Sequence, residues 1–301
     1  MFCYQCEQTA KGTGCTVQGV CGKQPDIAAL QDLLLYSLMG LSRVAVEGRK
    51  VGVTNRDVNV FTVKAAFSTL TNVDFDGERF FDLIHQTVVL REKLKAQVKN
   101  AGGVSTWHEG AATLTPADTL ADLVAQGEEV GLTSYPADSA DILSLKHTVL
   151  FGIKGVSAYA DHALILGQED ESVYAYVHEG LAAIQSDDRG LEDWVGMALR
   201  CGEAAYKAME LLELMDIAHL ADQTVTNLPY GAQRRVEMAR ALASEPKILF
   251  LDEPTAGVDI EIRRSMWRFL REINTAGTTI ILTTHYLEEA ESLCRNIAII
   301  D

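Results

Sequence analysis

The residues with the clearest chemical potential are four cysteines in the first 21 positions, spaced Cys3-x2-Cys6-x8-Cys15-x5-Cys21. Thiolates grouped at such short intervals hold metal centres. Cysteine is too reactive for a short loop to carry four of them for packing alone. The spacing therefore predicts a metal site at the start of the chain.

The type of metal centre follows from the compartment and from the spacing. No secretory signal precedes the cysteines, so we expect a reducing compartment in which disulfides are disfavoured. Structural zinc commonly uses two Cys-x2-Cys pairs, and only Cys3 and Cys6 form one here. Unequal spacing in a loop that contains Gly12, Gly14 and Gly19 favours an iron–sulfur cluster, with zinc as the alternative.

Composition excludes several classes of partner. The chain has 301 residues and a formal net charge of −16, which suits a two-domain globular protein and argues against nucleic acid or anionic membranes. The longest apolar stretch, Ile27 to Val46, is interrupted by Gln31, Asp32 and Arg43. It predicts an amphipathic helix without membrane insertion. We therefore expect a cytoplasmic protein.

Helical periodicity dominates the first two thirds of the chain. After a loop over residues 1–25, the segment Asp26–Ala45 is similar to Asp141–Ala160, and further helical segments follow each copy. This predicts a duplicated helical bundle, with one copy over residues 26–100 and the other over 141–213. The alternative is two unrelated amphipathic helices. The connection between the copies predicts one short helix, at 119–126.

The pattern changes after about residue 214. Apolar runs rich in branched residues are separated by helical segments, which is typical of buried parallel strands. The predicted strands cover residues 247–251, 279–283 and 296–300. The predicted fold class is thus α followed by α/β, with domains at 1–213 and 214–301.

Specific motifs in the first domain resemble the hybrid cluster proteins, also called hydroxylamine reductases. The resemblance covers about residues 1–213. It implies that Cys3, Cys6, Cys15 and Cys21 bind a 4Fe-4S cluster in a helical domain that exchanges electrons with a redox partner protein. The motifs are Met1-Phe-Cys-Tyr-Gln-Cys-Glu-Gln-Thr-Ala-Lys-Gly-Thr-Gly-Cys15, Val20-Cys-Gly-Lys23, Ala45-Val-Glu-Gly-Arg-Lys50, Gly152-Ile-Lys-Gly-Val-Ser-Ala-Tyr-Ala-Asp-His162, Cys201-Gly-Glu203 and Ala208-Met-Glu-Leu-Leu212.

The same resemblance limits what the cysteines imply. In this family the ligands of the catalytic hybrid cluster come from two later α/β domains, which this sequence does not show. Cys201 and Cys294 stand alone and are interpreted as core or surface residues. Electron transfer follows from the motifs, whereas reduction of hydroxylamine at a hybrid cluster does not.

The last 86 residues resemble the second half of an ABC transporter ATPase. Four motifs stand in family order, and the resemblance covers about residues 216–301. It implies nucleotide and magnesium contacts from the signature loop (Leu228, Tyr230, Gly231, Gln233), from a Walker B aspartate (Asp252) and from the D-loop (Asp259). It also implies catalytic roles for Glu253, which would polarise water, and His285, which would contact the γ-phosphate.

The first half of such an ATPase is absent from the sequence. No Gly-x4-Gly-Lys-Ser/Thr motif occurs, so the phosphate-wrapping loop and its lysine are lacking. By family analogy the P-loop strand lies inside the sheet, so we predict a partial P-loop-type parallel layer without it. The chain looks like a chimera of two partial families.

Three functional hypotheses follow from these two resemblances. The first is an iron–sulfur electron-transfer protein. The second is an ABC-type ATPase subunit that binds Mg-ATP, or a trans-acting half that docks on an ABC-type partner subunit. The third is an inactive helical scaffold.

Overall fold

The computed structural model describes residues 1–103, 107, 109–165, 168–186, 188–210, 247–258, 260–275 and 277–298. The chain forms two compact units, Met1–Leu212 and Glu213–Asp301.

The first unit is helical. Its α-helices are α1 (Pro25–Lys50), α2 (Arg56–Ser68), α3 (Gly77–Asn100), α4 (Leu120–Glu128), α5 (Ala140–Ile165), α6 (Glu171–Ile184) and α7 (Leu191–Glu210), with short 3-10 turns at Ala10–Gly12, Gly110–Thr113 and Leu132–Ser134. Proline at the first position of α1 suits a helix start, because its missing N–H would have no partner there.

Helix α1 is the centre of the first unit and packs against α3, α4 and α6. Leu33, Leu34 and Leu35 are all buried although they point in different directions around the helix. The buried face of α1 is therefore wider than a single stripe, while the less buried residues Asp32, Tyr36, Arg43 and Glu47 recur at helical spacing on one side, as an amphipathic helix requires. Among the described residues, α1 is the one helix long and apolar enough to cross a membrane, and 83% of that window is buried inside the protein.

The two segments predicted to be copies both begin with a 26-residue helix, α1 and α5. Helix α5 packs against α2, α6 and α7, while α6 also packs against α1. One continuous apolar core includes residues from all of these helices. The two segments thus share a core, instead of each burying its own apolar stripe. The duplication itself stays a prediction.

Close backbone contacts hold the connection between the two segments against α1. The predicted short helix is present as α4, and the Thr119 hydroxyl caps it by accepting the Asp122 N–H at 3.2 Å. A Cβ on Gly127 of α4 would lie 2.2 Å from the carbonyl oxygen of Ala29 in α1. Only glycine permits that approach.

The second unit contains a β-α-β arrangement. Strands β1 (Ile248–Asp252) and β2 (Thr279–Thr283) pair in parallel, with Phe250 opposite Ile281. Helix α8 (Ile260–Thr275) connects them and α9 (Leu287–Leu293) follows. The buried carboxylate of Glu289 accepts hydrogen bonds from Thr255 Oγ1 at 2.7 Å and Trp267 Nε1 at 2.9 Å, and from the Thr284 hydroxyl at 2.5 Å.

Two predicted strands of the second unit are present. Of the third, predicted at 296–300, the described residues 296–298 are irregular, and residues 299–301 lie outside the described part of the chain. A P-loop-type layer is therefore not shown. The predicted signature residues Leu228, Tyr230, Gly231 and Gln233, together with Asp259, also lie outside the described residues.

A buried histidine joins three helices of the first unit. His178 of α6 accepts a hydrogen bond from Ser42 of α1 at Nδ1 (3.0 Å), and its Nε2 donates to Asn59 of α2 at 3.1 Å. The neutral imidazole satisfies both contacts in this way, with Nδ1 as the acceptor and Nε2 as the donor. Burial, assisted by the positive charge of Arg49, lowers the pKa of His178 to about 3.

The neutral His178 predicts acid sensitivity. The folded pKa of about 3 lies below the usual unfolded value of about 6.5. The unfolded chain therefore binds the extra proton first as pH falls. The contribution of His178 to stability is fully present above about pH 6.5. Below that pH the free energy of unfolding falls by up to about 1.4 kcal/mol per pH unit. Urea unfolding between these pH limits should show a shallower acid loss for His178→Gln than for the wild type.

The matched control is His85→Gln, since His85 is a half-buried histidine of α3. This variant should keep the pH dependence of stability seen in the wild type. Equal acid slopes for His178→Gln and the wild type would contradict the assignment of a neutral buried histidine.

Candidate metal centre

The cysteine loop, residues 1–24, is closed on itself by backbone pairing. Cys3 and Cys15 form an isolated antiparallel bridge, with Cys3 N donating to Cys15 O at 3.1 Å and Cys15 N to Cys3 O at 2.8 Å. Gly14, at φ +145°, leaves room for the ring of Phe2, which a Cβ would approach to 2.6 Å. The bridge places two of the four predicted ligands opposite each other.

The Cys15 thiol has the most favourable surroundings for a thiolate. It is buried, and its Sγ accepts the Ala10 N–H at 3.4 Å with the Thr9 hydroxyl at 3.7 Å. The backbone N–H groups of Ala10 and Val20 lower the pKa of the Cys15 thiol, against the opposing effect of burial. Donors aimed at a cysteine sulfur stabilise its negative charge in the way that iron–sulfur sites require.

An aromatic contact anchors the first turn of the loop to the helices. The Tyr4 hydroxyl donates to Nδ1 of His147 in α5, and Nε2 of His147 donates to the Leu132 carbonyl at 2.7 Å. The Tyr4 ring also lies edge-on to Phe151, with the ring centroids 5.4 Å apart. Burial lowers the pKa of His147, which keeps the imidazole neutral for both bonds.

Buried charges lie beneath the loop. Lys23 and Lys154 are both buried. Together with Cys3 and Asp32 they line a cavity of about 20 Å³, which is about the room one water needs. Desolvation raises the pKa of Asp32 to about 7, while the positive charges of Lys154 and Lys23 oppose that rise. Two ammonium groups thus face a single carboxylate next to the cysteines.

The four predicted ligands are only partly brought together. All are free thiols, with Cys15 buried and Cys3, Cys6 and Cys21 half-buried. Within the described residues no group of three or more Cys, His, Asp or Glu side chains is arranged to hold a metal ion. The structure therefore places the four thiols in one loop without a finished coordination geometry.

The chemistry of the surroundings fits an iron–sulfur cluster. The loop offers four unpaired thiols, N–H donors to sulfur and an excess of buried positive charge on the side of the helices. A thiolate-bound cluster is negatively charged, and its charge would balance that excess.

Sequence analysis missed the groups beneath the loop. In the sequence, Gln31 and Asp32 stand out only as interruptions of an apolar run, and Lys154 only as part of a family motif. Each is a polar residue inside an apolar helical pattern, which was the available signal.

A second group of predicted site residues meets at the carboxyl ends of β1 and β2. His285 Nε2 lies 2.6 Å from Glu253 Oε1, and the Thr283 hydroxyl donates to Asp252. The backbone of Glu253 is left-handed, at φ +45°. The structure thus brings the predicted Glu253 and His285 into contact beside Asp252.

The first unit is thus a helical domain that begins with a cysteine loop. A comparison with protein families places this part of the chain in a known family. The model of the Prismane/CO dehydrogenase family matches residues 1–238. The chain belongs to this family. The match extends past residue 213, the limit predicted for the hybrid cluster resemblance. None of the comparisons supports an ABC ATPase segment or a chimera.

The similar curated proteins are hydroxylamine reductases. That of Syntrophobacter fumaroxidans is 58% identical over 234 residues, which cover 78% of this chain and 43% of the relative. That of Methanocella arvoryzae is 54% identical over 236 residues, with 78% and 43% covered. That of Solidesulfovibrio magneticus is 46% identical over 263 residues, with 87% and 48% covered. The chain spans less than half the length of these relatives.

The Tyr4–His147 contact predicts how the loop is held when no metal is bound. Tyr4→Phe removes one partly buried hydrogen bond, at a cost of about 1 kcal/mol in stability, and should loosen the turn that carries Cys3 and Cys6. We expect faster alkylation of the loop thiols in the iron-free protein, with unchanged helical circular dichroism.

Tyr176→Phe provides the control for this labelling experiment. The Tyr176 hydroxyl donates to the Met197 carbonyl at 3.0 Å, within the helical core. Its loss should cost similar stability without changing the labelling of the loop. Equal labelling rates for Tyr4→Phe and the wild type would show that Tyr4 does not hold the loop.

Proposed function

We propose that the chain is an iron–sulfur electron-transfer protein whose Cys3, Cys6, Cys15 and Cys21 bind one 4Fe-4S cluster. The observation that carries the proposal is the loop itself. It holds four free thiols within 21 residues. The backbones of Cys3 and Cys15 form an antiparallel bridge, and the Cys15 sulfur accepts a backbone N–H. The bound cluster would supply one-electron redox chemistry.

Family membership and the buried charges support this proposal. Proteins of the prismane family bind iron–sulfur clusters, and the two buried ammonium groups of Lys23 and Lys154 would offset the negative charge of a thiolate-bound cluster. The loop residues would hold the cluster and donate N–H groups to it, while the helices exclude water from its inner side. A redox partner protein and a cytoplasmic location belong to the same proposal.

The proposal stops at electron transfer. Hydroxylamine reductase is the name of the relatives. The matched region covers 43% of the first two of them, which are more than twice as long as that region. None of the residues described above is assigned to that reaction.

Replacement of Cys15 tests the four-ligand assignment. Cys15→Ala removes one thiolate and the sulfur that the Ala10 N–H and the Thr9 hydroxyl approach. After anaerobic reconstitution we expect loss of most visible absorbance and of most bound iron. Far-ultraviolet circular dichroism should stay helical, because the buried members of the apolar core all lie outside the loop.

Cys201→Ala is the matched control, since Cys201 is also a buried cysteine but lies in α7. It should keep its full iron content. Full iron content in Cys15→Ala would refute the four-ligand assignment. A colourless zinc protein would refute the iron–sulfur proposal. Complete unfolding of Cys15→Ala would show that the metal is the core of the domain.

A second candidate function rests on the contact between Glu253 and His285. These side chains meet at the carboxyl ends of two parallel strands beside Asp252, where nucleotide-binding α/β proteins hold their ligands. We propose that this unit contributes ABC-type residues to Mg-ATP bound with a complete ABC-type partner subunit, which would supply the missing P-loop.

Nucleotide binding separates this second candidate from a unit without such activity. The measurement is Mg-ATP binding by the chain, alone and with an ABC-type ATPase subunit present. Affinity that is lost in Asp252→Asn, because the magnesium shell loses its carboxylate, would support the candidate. Lys247→Gln, at the opposite end of β1, is the control. Absence of Mg-ATP binding, or equal binding by Asp252→Asn and the wild type, would refute this second candidate function.

A further inference from the structure

A buried lysine faces the cysteine loop from helix α5. Lys154 is 5% exposed. Its Nζ donates to Gln5 Oε1 at 2.8 Å and to the Thr69 carbonyl at 3.3 Å. Because Gln5 lies between Cys3 and Cys6, these bonds hold the ammonium group against the turn that carries two of the cysteines.

The charges around Lys154 do not balance within the described protein. The cavity beside it is also lined by Cys3, Lys23 and Asp32. The Lys23 ammonium is itself buried and donates to Gln31 Oε1 at 2.5 Å. Burial of two ammonium groups beside one carboxylate is unfavourable unless a further negative charge lies nearby.

The titration behaviour of Lys154 agrees with this geometry. Desolvation and the positive charge of Lys23 lower the pKa of Lys154 to about 7, while the negative charges of Asp32 and Cys3 raise it. A negatively charged group at the cysteines would therefore favour the ammonium form.

A cubane cluster held by four thiolates is such a group. Its net charge is negative and becomes more negative by one unit when an electron is added. A fixed cation nearby stabilises the reduced form more than the oxidised form, because the attraction grows with the charge.

We propose that Lys154 is a positioning residue of the iron–sulfur centre, which holds the Cys3–Cys6 turn through Gln5 and whose buried positive charge raises the reduction potential of the cluster. This inference rests on the proposed function, since it requires a cluster in the loop. It adds a residue that lies about 150 positions from the cysteines in sequence.

Two substitutions separate the charge of Lys154 from its hydrogen bonds. Lys154→Gln keeps a donor for Gln5 and removes the charge, whereas Lys154→Arg keeps the charge. Anaerobic redox titration of the reconstituted chain at one mildly acidic pH, followed by electron paramagnetic resonance, measures the reduction potential. For Lys154→Gln we expect reduction to become less favourable by on the order of tenfold, which is about 59 mV for a one-electron couple. Lys154→Arg should retain most of the wild-type potential.

Lys146→Gln is the matched control, because Lys146 is an equally buried lysine of α5. Its ammonium group donates to the carbonyl groups of Ile184 (2.9 Å) and Ser186 (2.8 Å), away from the loop. It should lower stability and leave the potential unchanged. If Lys154→Gln fails to load iron, Lys23→Gln removes the other buried ammonium and should shift the potential in the same direction.

Iron content separates this inference from the proposed function. A full cluster with no shift in Lys154→Gln or Lys23→Gln, or with equal shifts in Lys154→Gln and Lys154→Arg, would overturn the role of Lys154 and leave the cluster standing. Wild-type protein without bound iron would overturn both.

Discussion

Burial of most of α1 is the constraint on which the first unit depends. Consecutive leucines at 33, 34 and 35 are all buried, so the helix needs partners over much of its circumference. Helices α3, α4 and α6 supply them, and glycines such as Gly127 allow backbones to approach closely enough. A helix surrounded in this way is a rigid support for whatever precedes it. What precedes it here is the cysteine loop.

The polar residues of α1 have consequences at its amino-terminal end. Gln31 and Asp32 lie where the helix passes beneath the loop, and polar groups in such a position need partners. Lys23 from the loop bonds to Gln31, and the Gln31 amide bonds to the Asp74 carbonyl at 3.1 Å. The same requirement that stabilises the fold therefore collects charge beside the cysteines. A negatively charged cluster would make that arrangement electrostatically favourable.

The second unit shows the opposite situation. Its two parallel strands bring Glu253 and His285 together, but the outer face of the sheet leaves Phe250 72% exposed. Parallel strands are normally covered on both faces. Local geometry at the strand ends thus brings Glu253 and His285 into contact, whereas the surrounding layer is incomplete among the described residues.

Local sequence determined the features that depend on short-range chemistry. Cysteine spacing marked the loop, helical periodicity marked the helices that became α1, α4 and α5, and branched apolar runs marked β1 and β2. The four cysteines, the proposed ligands, could be named from spacing and resemblance alone, while the backbone bridge between Cys3 and Cys15 could not be read from either.

Tertiary structure decided the contacts between distant segments. Lys154 meets Gln5, His147 meets Tyr4, and His178 meets Ser42 only because α5 and α6 pack beside the loop and α1. Periodicity shows that a face is buried but not which helix covers it, so it could not reveal that both halves share one core. The predicted strand at 296–300 failed over its described residues for a related reason. A strand is stabilised by its neighbours in the sheet, and β1 and β2 pair only with each other among the described residues.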